Sequence, residues 1–143
     1  MFGYQVLGFG VGSSFGAPVT MDFLVIAGGG NGGSKGGTAG SGAGAGGYRN
    51  SYASENSGRN SSTESDISPK TGETLTVTVG AGGATSYPAE SSDAGGDDSS
   101  IIGQTGVNIT SLGGGRGYGT LYSSPNPNTQ ATDGGSGGGA YSP

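Results

Sequence analysis

An all-β fold, made of short strands that run directly into glycine tracts, is what the sequence predicts. Three observations carry that expectation. Glycine supplies 36 of the 143 residues. The apolar runs are short, alternate along the chain and end in glycine, and no stretch holds a helical 3.6-residue period. Glycines at 3, 8, 10, 12 and 16 forbid a stable helix in the apolar first segment, and no helix is read elsewhere.

The scarcity of apolar bulk sharpens the picture. Leu, Ile, Val and Phe number 21, or about 15% of the chain, below the ~20% usual for a globular core. Side-chain burial alone therefore does not hold this chain together, and main-chain hydrogen bonds or neighbouring chains must contribute. Disorder would need low hydrophobicity together with high charge, and only 10% of the residues are charged, with a net charge of −5. There is no cysteine and hence no disulfide framework. A small protein without such staples is expected to rely on assembly, as a homo-oligomer or with other proteins.

Residues 1–20 stand apart from the rest. Phe2, Tyr4, Val6, Leu7, Phe9, Val11 and Phe15 crowd large apolar side chains into the first fifteen positions. Phe2, Tyr4 and Val6 alternate, and the alternation changes face at Leu7, as at a bulge. Two readings stand: a strand that completes the domain's own sheet, or an anchor that docks on another protein. The segment has no basic n-region and is not read as a signal peptide.

Residues 22–26, DFLVI, form the clearest strand. Phe23 and Val25 share one face, Leu24 and Ile26 the other, so burial on both faces is expected. The strand runs into a glycine tract at 27–47. Residues 48–70, rich in Ser and Asn, read as an exposed loop. A turn at 68–73 delivers a second strand, TLTVTV at 74–79, with Leu75, Val77 and Val79 inward and threonines outward. It too ends in glycine. An acidic, Ser-rich segment at 89–100 precedes a short apolar piece at 100–102. A weaker strand at Val107, Ile109 and Leu112 leads into GGGRGYG, and the chain closes with GGSGGGAYSP.

Four readings of the glycine tracts compete. Flexible linker is the compositional default. Collagen fails because the three-residue step soon breaks and prolines are absent there. Gly28-x-Gly30-x-x-Gly33 has the letters of a dinucleotide fingerprint, but no helix follows to hold a pyrophosphate, and the match is rejected. The fourth reading is packed polyglycine II. Such extended three-fold helices have no internal hydrogen bonds, and without Cβ atoms they approach closely enough to bond each other laterally. Several tracts, each launched from a strand, favour this lattice.

The chemistry of sites is sparse. With neither His nor Cys, the commonest nucleophile–base pairs are missing; no enzyme activity and no cofactor are expected. Glu90, Asp93, Asp97 and Asp98 form the only acidic cluster. Their oxygens could bind Ca²⁺, but the spacing is not that of an EF-hand and the solvated-loop reading is preferred. Five scattered Lys and Arg make no basic patch, which argues against nucleic acid. No apolar run reaches the ~20 residues of a membrane helix. Tyr48, Tyr118 and Tyr141 read as covers for the ends of the glycine bundle. Tyr52 and Tyr87, set in polar loops, are the candidates for contact with a receptor.

Taken in order, LVIAGGGNGG, GAGAGGYR at 42–49, LTVTVGAGG at 75–83, SSII, SLGGG and GGSGGGA resemble the glycine-rich domain of tailed-bacteriophage structural and tail-fibre proteins. The resemblance covers residues 21–140 and implies a small β-sandwich with polyglycine II helices inserted between its strands. It departs from the family pattern in having only about 20 residues before the first strand, so the sandwich is expected to be incomplete or completed by a neighbour. It further implies a non-enzymatic protein of the virion surface, most simply a head-decoration or knob-like protein. Residues 1–20 would dock it on capsid or tail proteins, and residues 21–143 would project. The alternative is a tail-fibre or tail-tip adhesin that binds a host polysaccharide or protein.

Overall fold

The computed structural model describes residues 19–33, 41–84, 95–117 and 134–139. Its regular elements are β1 (Leu24–Ile26), β2 (Tyr48–Asn50), β3 (Leu75–Thr78), β4 (Ser99–Gly103) and β5 (Asn108–Ser111), with one 3₁₀ turn at Gly58–Asn60. The described residues contain no α-helix. The strands form two antiparallel sheets, β1-β2 and β3-β4-β5. The expected all-β class is what the chain adopts.

The apolar core is small and lies between the sheets. Phe23, Val25 and Ile67 are its buried centre, and Met21, Leu75, Ile101, Val107 and Ile109 pack around them. β1 lies against β4 and β5, so the two-stranded sheet covers only part of the three-stranded one. That geometry corrects two expectations. Leu24 and Ile26 are not buried; they are 57% and 55% exposed on the outer face of β1. On the edge strand β3 only Leu75 joins the core, while Val77 and Val79 remain exposed.

The segment 48–70 is also more than an exposed loop. Tyr48–Asn50 pairs with β1, Val25 opposite Arg49. Met21 and Ile67 exchange main-chain hydrogen bonds of 2.9 and 3.1 Å, which extends the same sheet. Small polar side chains substitute for missing strand partners. The Phe23 N–H donates to Ser51 Oγ and the Asn50 N–H to Ser57 Oγ, each at 2.9 Å. Asn50, Ser51 and Ser57 are buried for this reason. Periodicity of apolar residues does not register such a strand, because its inward groups are polar.

Beyond the sheets, the chain continues as extended glycine-rich passes: pass 1 (27–33), pass 2 (41–47), pass 3 (80–84), pass 4 (95–98), pass 5 (112–117) and pass 6 (134–139). Passes 1, 3 and 5 leave β1, β3 and β5. Passes 2 and 4 lead back into β2 and β4. The hydrogen bonds between passes step by three residues. Ala27, Gly30 and Gly33 donate to the carbonyls of Gly47, Gly44 and Ser41, at 2.9–3.0 Å. Gly114 and Gly117 donate to Gly28 and Asn31; Gly44 and Gly47 donate to Gly115 and Leu112. Ser136 and Gly139 donate to Ala45 and Gly42. An antiparallel β-ladder repeats every second residue, whereas a three-fold extended helix repeats every third. The step of three identifies packed polyglycine II.

Further bonds join the passes, among them that from Gly135 to Gly113. Gly83 donates to Gly29, Gly96 to Gly114, Gly115 to Ser136, Asp97 to Ala81 and Gly28 to Asp97. Together these pairings define two layers of three, passes 3-1-2 over passes 4-5-6, with the upper layer resting in the grooves of the lower. Every neighbouring pair in that slab is hydrogen-bonded. Pass 5 sits at its centre, and Gly113, Gly114, Gly115 and Gly117 are buried there. Each three-fold pass turns backbone groups in three directions, so a central pass is bonded to neighbours on several sides at once.

Candidate functional site

Of the residues proposed to dock the protein, Phe2, Tyr4, Val6, Leu7, Phe9, Val11 and Phe15 lie outside the described residues. So does Tyr87. The described residues flanking its segment, Ala84 and Gly95, belong to passes 3 and 4, on the lattice side of the domain. Tyr118 and Tyr141 lie outside the described residues as well.

Tyr52 is described, and its presentation has a clear cause. β2 runs away from the lattice, so residue 52 stands at the sandwich side. The buried Asn50 side chain shapes the turn that follows. Its Oδ1 accepts the Tyr52 N–H at 2.6 Å, and its Nδ2 donates to the Glu55 carbonyl at 3.1 Å. The Glu55 N–H closes the turn on the Tyr52 carbonyl at 3.1 Å, with Ala53 at φ 49°. The result leaves the Tyr52 side chain 58% exposed on a tightly bonded loop. Asn50, a residue that the sequence did not single out, is therefore the support of the candidate contact residue. The available signal was an Asn two residues before the turn, where an Asx side chain captures a main-chain N–H. Tyr48 lies in β2 next to pass 2 and is half-buried.

The wall behind this loop is fixed by one ion pair. Arg49 grips Glu64 through Nε at 2.9 and 3.1 Å and through Nη2, and its Nη1 donates to the Thr110 carbonyl at 3.0 Å. Ser57 Oγ donates to Glu64 Oε1 at 3.1 Å. The hydrogen bond to Arg49 holds the Glu64 carboxyl below the usual carboxylate range, and the same bond raises the Arg49 guanidinium. Arg49 thus clasps the loop 57–64 to the edge of β5.

At the other end of the loop, Ser65–Ser68 and Thr105–Ile109 border an open groove of about 340 Å³. Glu73 braces Thr105 in its wall: the Glu73 carboxylate accepts the Thr105 N–H at 2.7 Å and the Lys70 N–H at 2.9 Å, and it also bonds Thr105 Oγ1. The hydrogen bond from the Thr105 side chain, followed by those from the main chain, keeps the Glu73 carboxyl low.

The acidic cluster is only partly described. Asp97 gives its carbonyl to Gly28 and its N–H to Ala81, and Asp98 Oδ1 accepts the Gly113 N–H at 2.8 Å. Both residues serve the lattice. Gly28, Gly30 and Gly33 run through pass 1 with their N–H groups directed to neighbouring passes, so the fingerprint-like spacing belongs to packing. Among the described residues no group of three or more His, Cys, Asp or Glu is placed to hold a metal ion, and no helix is long and apolar enough to cross a membrane.

No curated protein and no solved structure matches the chain. A family model described as a glycine-rich domain matches residues 13–143. With most of its length matched, the chain belongs to the glycine-rich domain family.

Proposed function

We propose that this protein is a non-enzymatic structural component of the surface of a tailed-phage virion, in the manner of a head-decoration or knob-like protein. The observation that carries this reading is the continuity between strands and glycine passes. Sandwich and lattice form one main-chain-bonded unit, with Met21 paired to Ile67 on the sandwich side and the passes pointing away from it. A unit built this way projects a rigid surface without needing a large apolar core. Residues 1–20, with Phe2, Tyr4, Val6, Leu7, Phe9, Val11 and Phe15, are the docking segment in this reading, and capsid or tail proteins are the partners. The likeness to glycine-rich domains of phage structural proteins supports it.

The exposed Tyr52 favours a second reading, an adhesin at the tail that contacts a host polysaccharide or protein through Tyr52 and Tyr87. Immunogold electron microscopy on purified virions, with an antibody against residues 48–70, separates the two. Residues 52–56 are exposed and accessible to such an antibody. Gold over the head is the expected result. Gold confined to tails or fibre tips replaces decoration by adhesion, and weaker host-cell binding on Tyr52→Ala would then be required. Unlabelled virions, with the protein demonstrably made in infected cells, overturn both.

A further inference from the structure

Among the described residues, β1 has one bonded edge and one open edge. Odd-numbered residues face β2 and its extension: Phe23 pairs with Ser51, Ala27 with Gly47, and Met21 with Ile67. In an antiparallel strand the intervening residues aim their N–H and C=O groups the other way. Those of Asp22, Leu24 and Ile26 therefore point outward, and among the described residues no strand pairs there. The edge ends at the lattice, where the Gly28 N–H turns to the Asp97 carbonyl. Sheet edges of this kind are usually blunted by Lys, Pro or a bulge, and β1 carries none of these.

The side chains along this edge are uneven in character. Leu24 and Ile26 lie exposed at one end. At the other, Asp22 stands across from Asp66, because Met21 pairs with Ile67 in antiparallel register. Loss of hydration, and then a hydrogen bond and charge repulsion from Asp66, push the Asp22 carboxyl up, and among the described residues neither acid has a salt bridge. Arg49, the one cation of β2, is already committed to Glu64.

We infer that the open edge of β1 is a strand-addition site for an extended segment of another protein, with apolar residues opposite Ile26 and Leu24 and a basic residue opposite Asp22. Main-chain hydrogen bonds from Asp22, Leu24 and Ile26 supply the affinity, and the alternate side chains supply the choice of partner. Cross-strand neighbours lie about 5 Å apart, close enough for apolar contact at Leu24 and Ile26 and for charge pairing at Asp22. The site exists wherever the protein resides, and its failure would leave the virion reading untouched.

The test uses the full chain and a fluorescein-labelled, C-terminally amidated peptide of sequence Thr-Val-Thr-Val-Thr-Lys, followed by fluorescence anisotropy. Antiparallel docking sets its two valines opposite Ile26 and Leu24 and its lysine opposite Asp22. Expected are saturable binding, loss of that binding with Ile26→Lys, and binding about fivefold weaker when the lysine is replaced by glutamate. N-methylation of both valines, which removes the N–H groups facing β1, should abolish binding. Four results overturn the proposal. Absence of binding does so directly. Equal binding of the N-methylated or glutamate peptide shows plain hydrophobic adhesion. Binding only in the full chain carrying Tyr4→Pro and Val6→Pro shows that the chain's own first residues take the edge. A dimer in sedimentation equilibrium that Ile26→Lys dissociates assigns the edge to a second copy.

Discussion

Gly113 and Gly96 lie so close that a Cβ built on Gly113 would stand 1.7 Å from the Gly96 carbonyl oxygen. No side chain of any size fits there, and the obstacle is backbone, which cannot rotate aside. The same holds along the lattice interior, as at Gly44 against Ser136 and at Gly30 against Gly115. Gly42 differs, because a Cβ on it meets nothing within 4 Å.

Gly113→Ala and Gly42→Ala should therefore behave oppositely. Forcing one methyl into a packed interior commonly costs about 1–3 kcal/mol, and a collision with main chain at this distance places Gly113→Ala at or beyond the upper end. Gly42→Ala should be neutral or stabilising by about 0.4–1 kcal/mol, since it narrows the unfolded ensemble at a site with room. Thermal melts of the two variants against wild type check this. Equal effects would mean that the passes do not pack as described.

The contrast also shows which features the sequence carried. β1 and β3 announced themselves through DFLVI and TLTVTV, and the glycine passes through their direct continuation from strands. Inner and outer glycines could not be told apart, because letters alone do not say which of three faces a residue occupies. β2 escaped notice because its buried residue is Asn50 and its partners include Ser51 and Ser57, hydrogen-bonding groups that mimic loop composition. The exposure of Leu24 and Ile26 was equally illegible: alternation fixes which residues share a face, but whether another layer covers that face depends on tertiary packing. As for the candidate contact site, Tyr52 was visible as a tyrosine in a polar stretch, while its support by Asn50 required the turn geometry.

The Arg49–Glu64 pair ties three pieces of chain together and is partly screened by solvent. Glu64→Gln should lower stability by about 1 kcal/mol, toward the upper end for a pair of this exposure because the contact is bidentate. The pH dependence has a fixed sign. The folded-state carboxyl titrates below its unfolded value, so its contribution is present above the unfolded value and is lost as pH falls through the folded one. Denaturation of wild type and Glu64→Gln should therefore converge in acid. A gap between them that persists below the folded-state titration would refute the assignment.

Asp22 carries the opposite sign. Its folded-state carboxyl is raised, so between the unfolded and folded values the folded protein holds a proton that the unfolded chain has released. Stability contributed by this group is complete below the unfolded value and declines as pH rises through the folded one. Asp22→Asn should consequently be more stable than wild type at neutral pH, with the difference shrinking in acid. Melting temperatures measured across the acid range decide this, and a variant less stable than wild type at pH 7 would show that Asp22 is not held against Asp66.

Ser111 and Ser99 offer the finest distinction, because they face each other across β4 and β5 and both are buried. Ser99 Oγ accepts the Gly80 N–H at 2.9 Å, at the point where β3 becomes pass 3. Ser111 Oγ is buried with no hydrogen-bond partner among the described residues. Removing the Ser99 hydroxyl takes away the acceptor of a half-buried main-chain donor, at a cost of about 1 kcal/mol. Removing the Ser111 hydroxyl relieves an unsatisfied group and leaves a methyl in nearly the same volume. Ser99→Ala should thus lower the denaturation midpoint, and Ser111→Ala should hold or raise it. Hydrogen exchange at the Gly80 amide supplies the local readout: it should quicken in Ser99→Ala and stay unchanged in Ser111→Ala. If both variants lose stability equally, Ser111 Oγ has a partner that its present surroundings do not show.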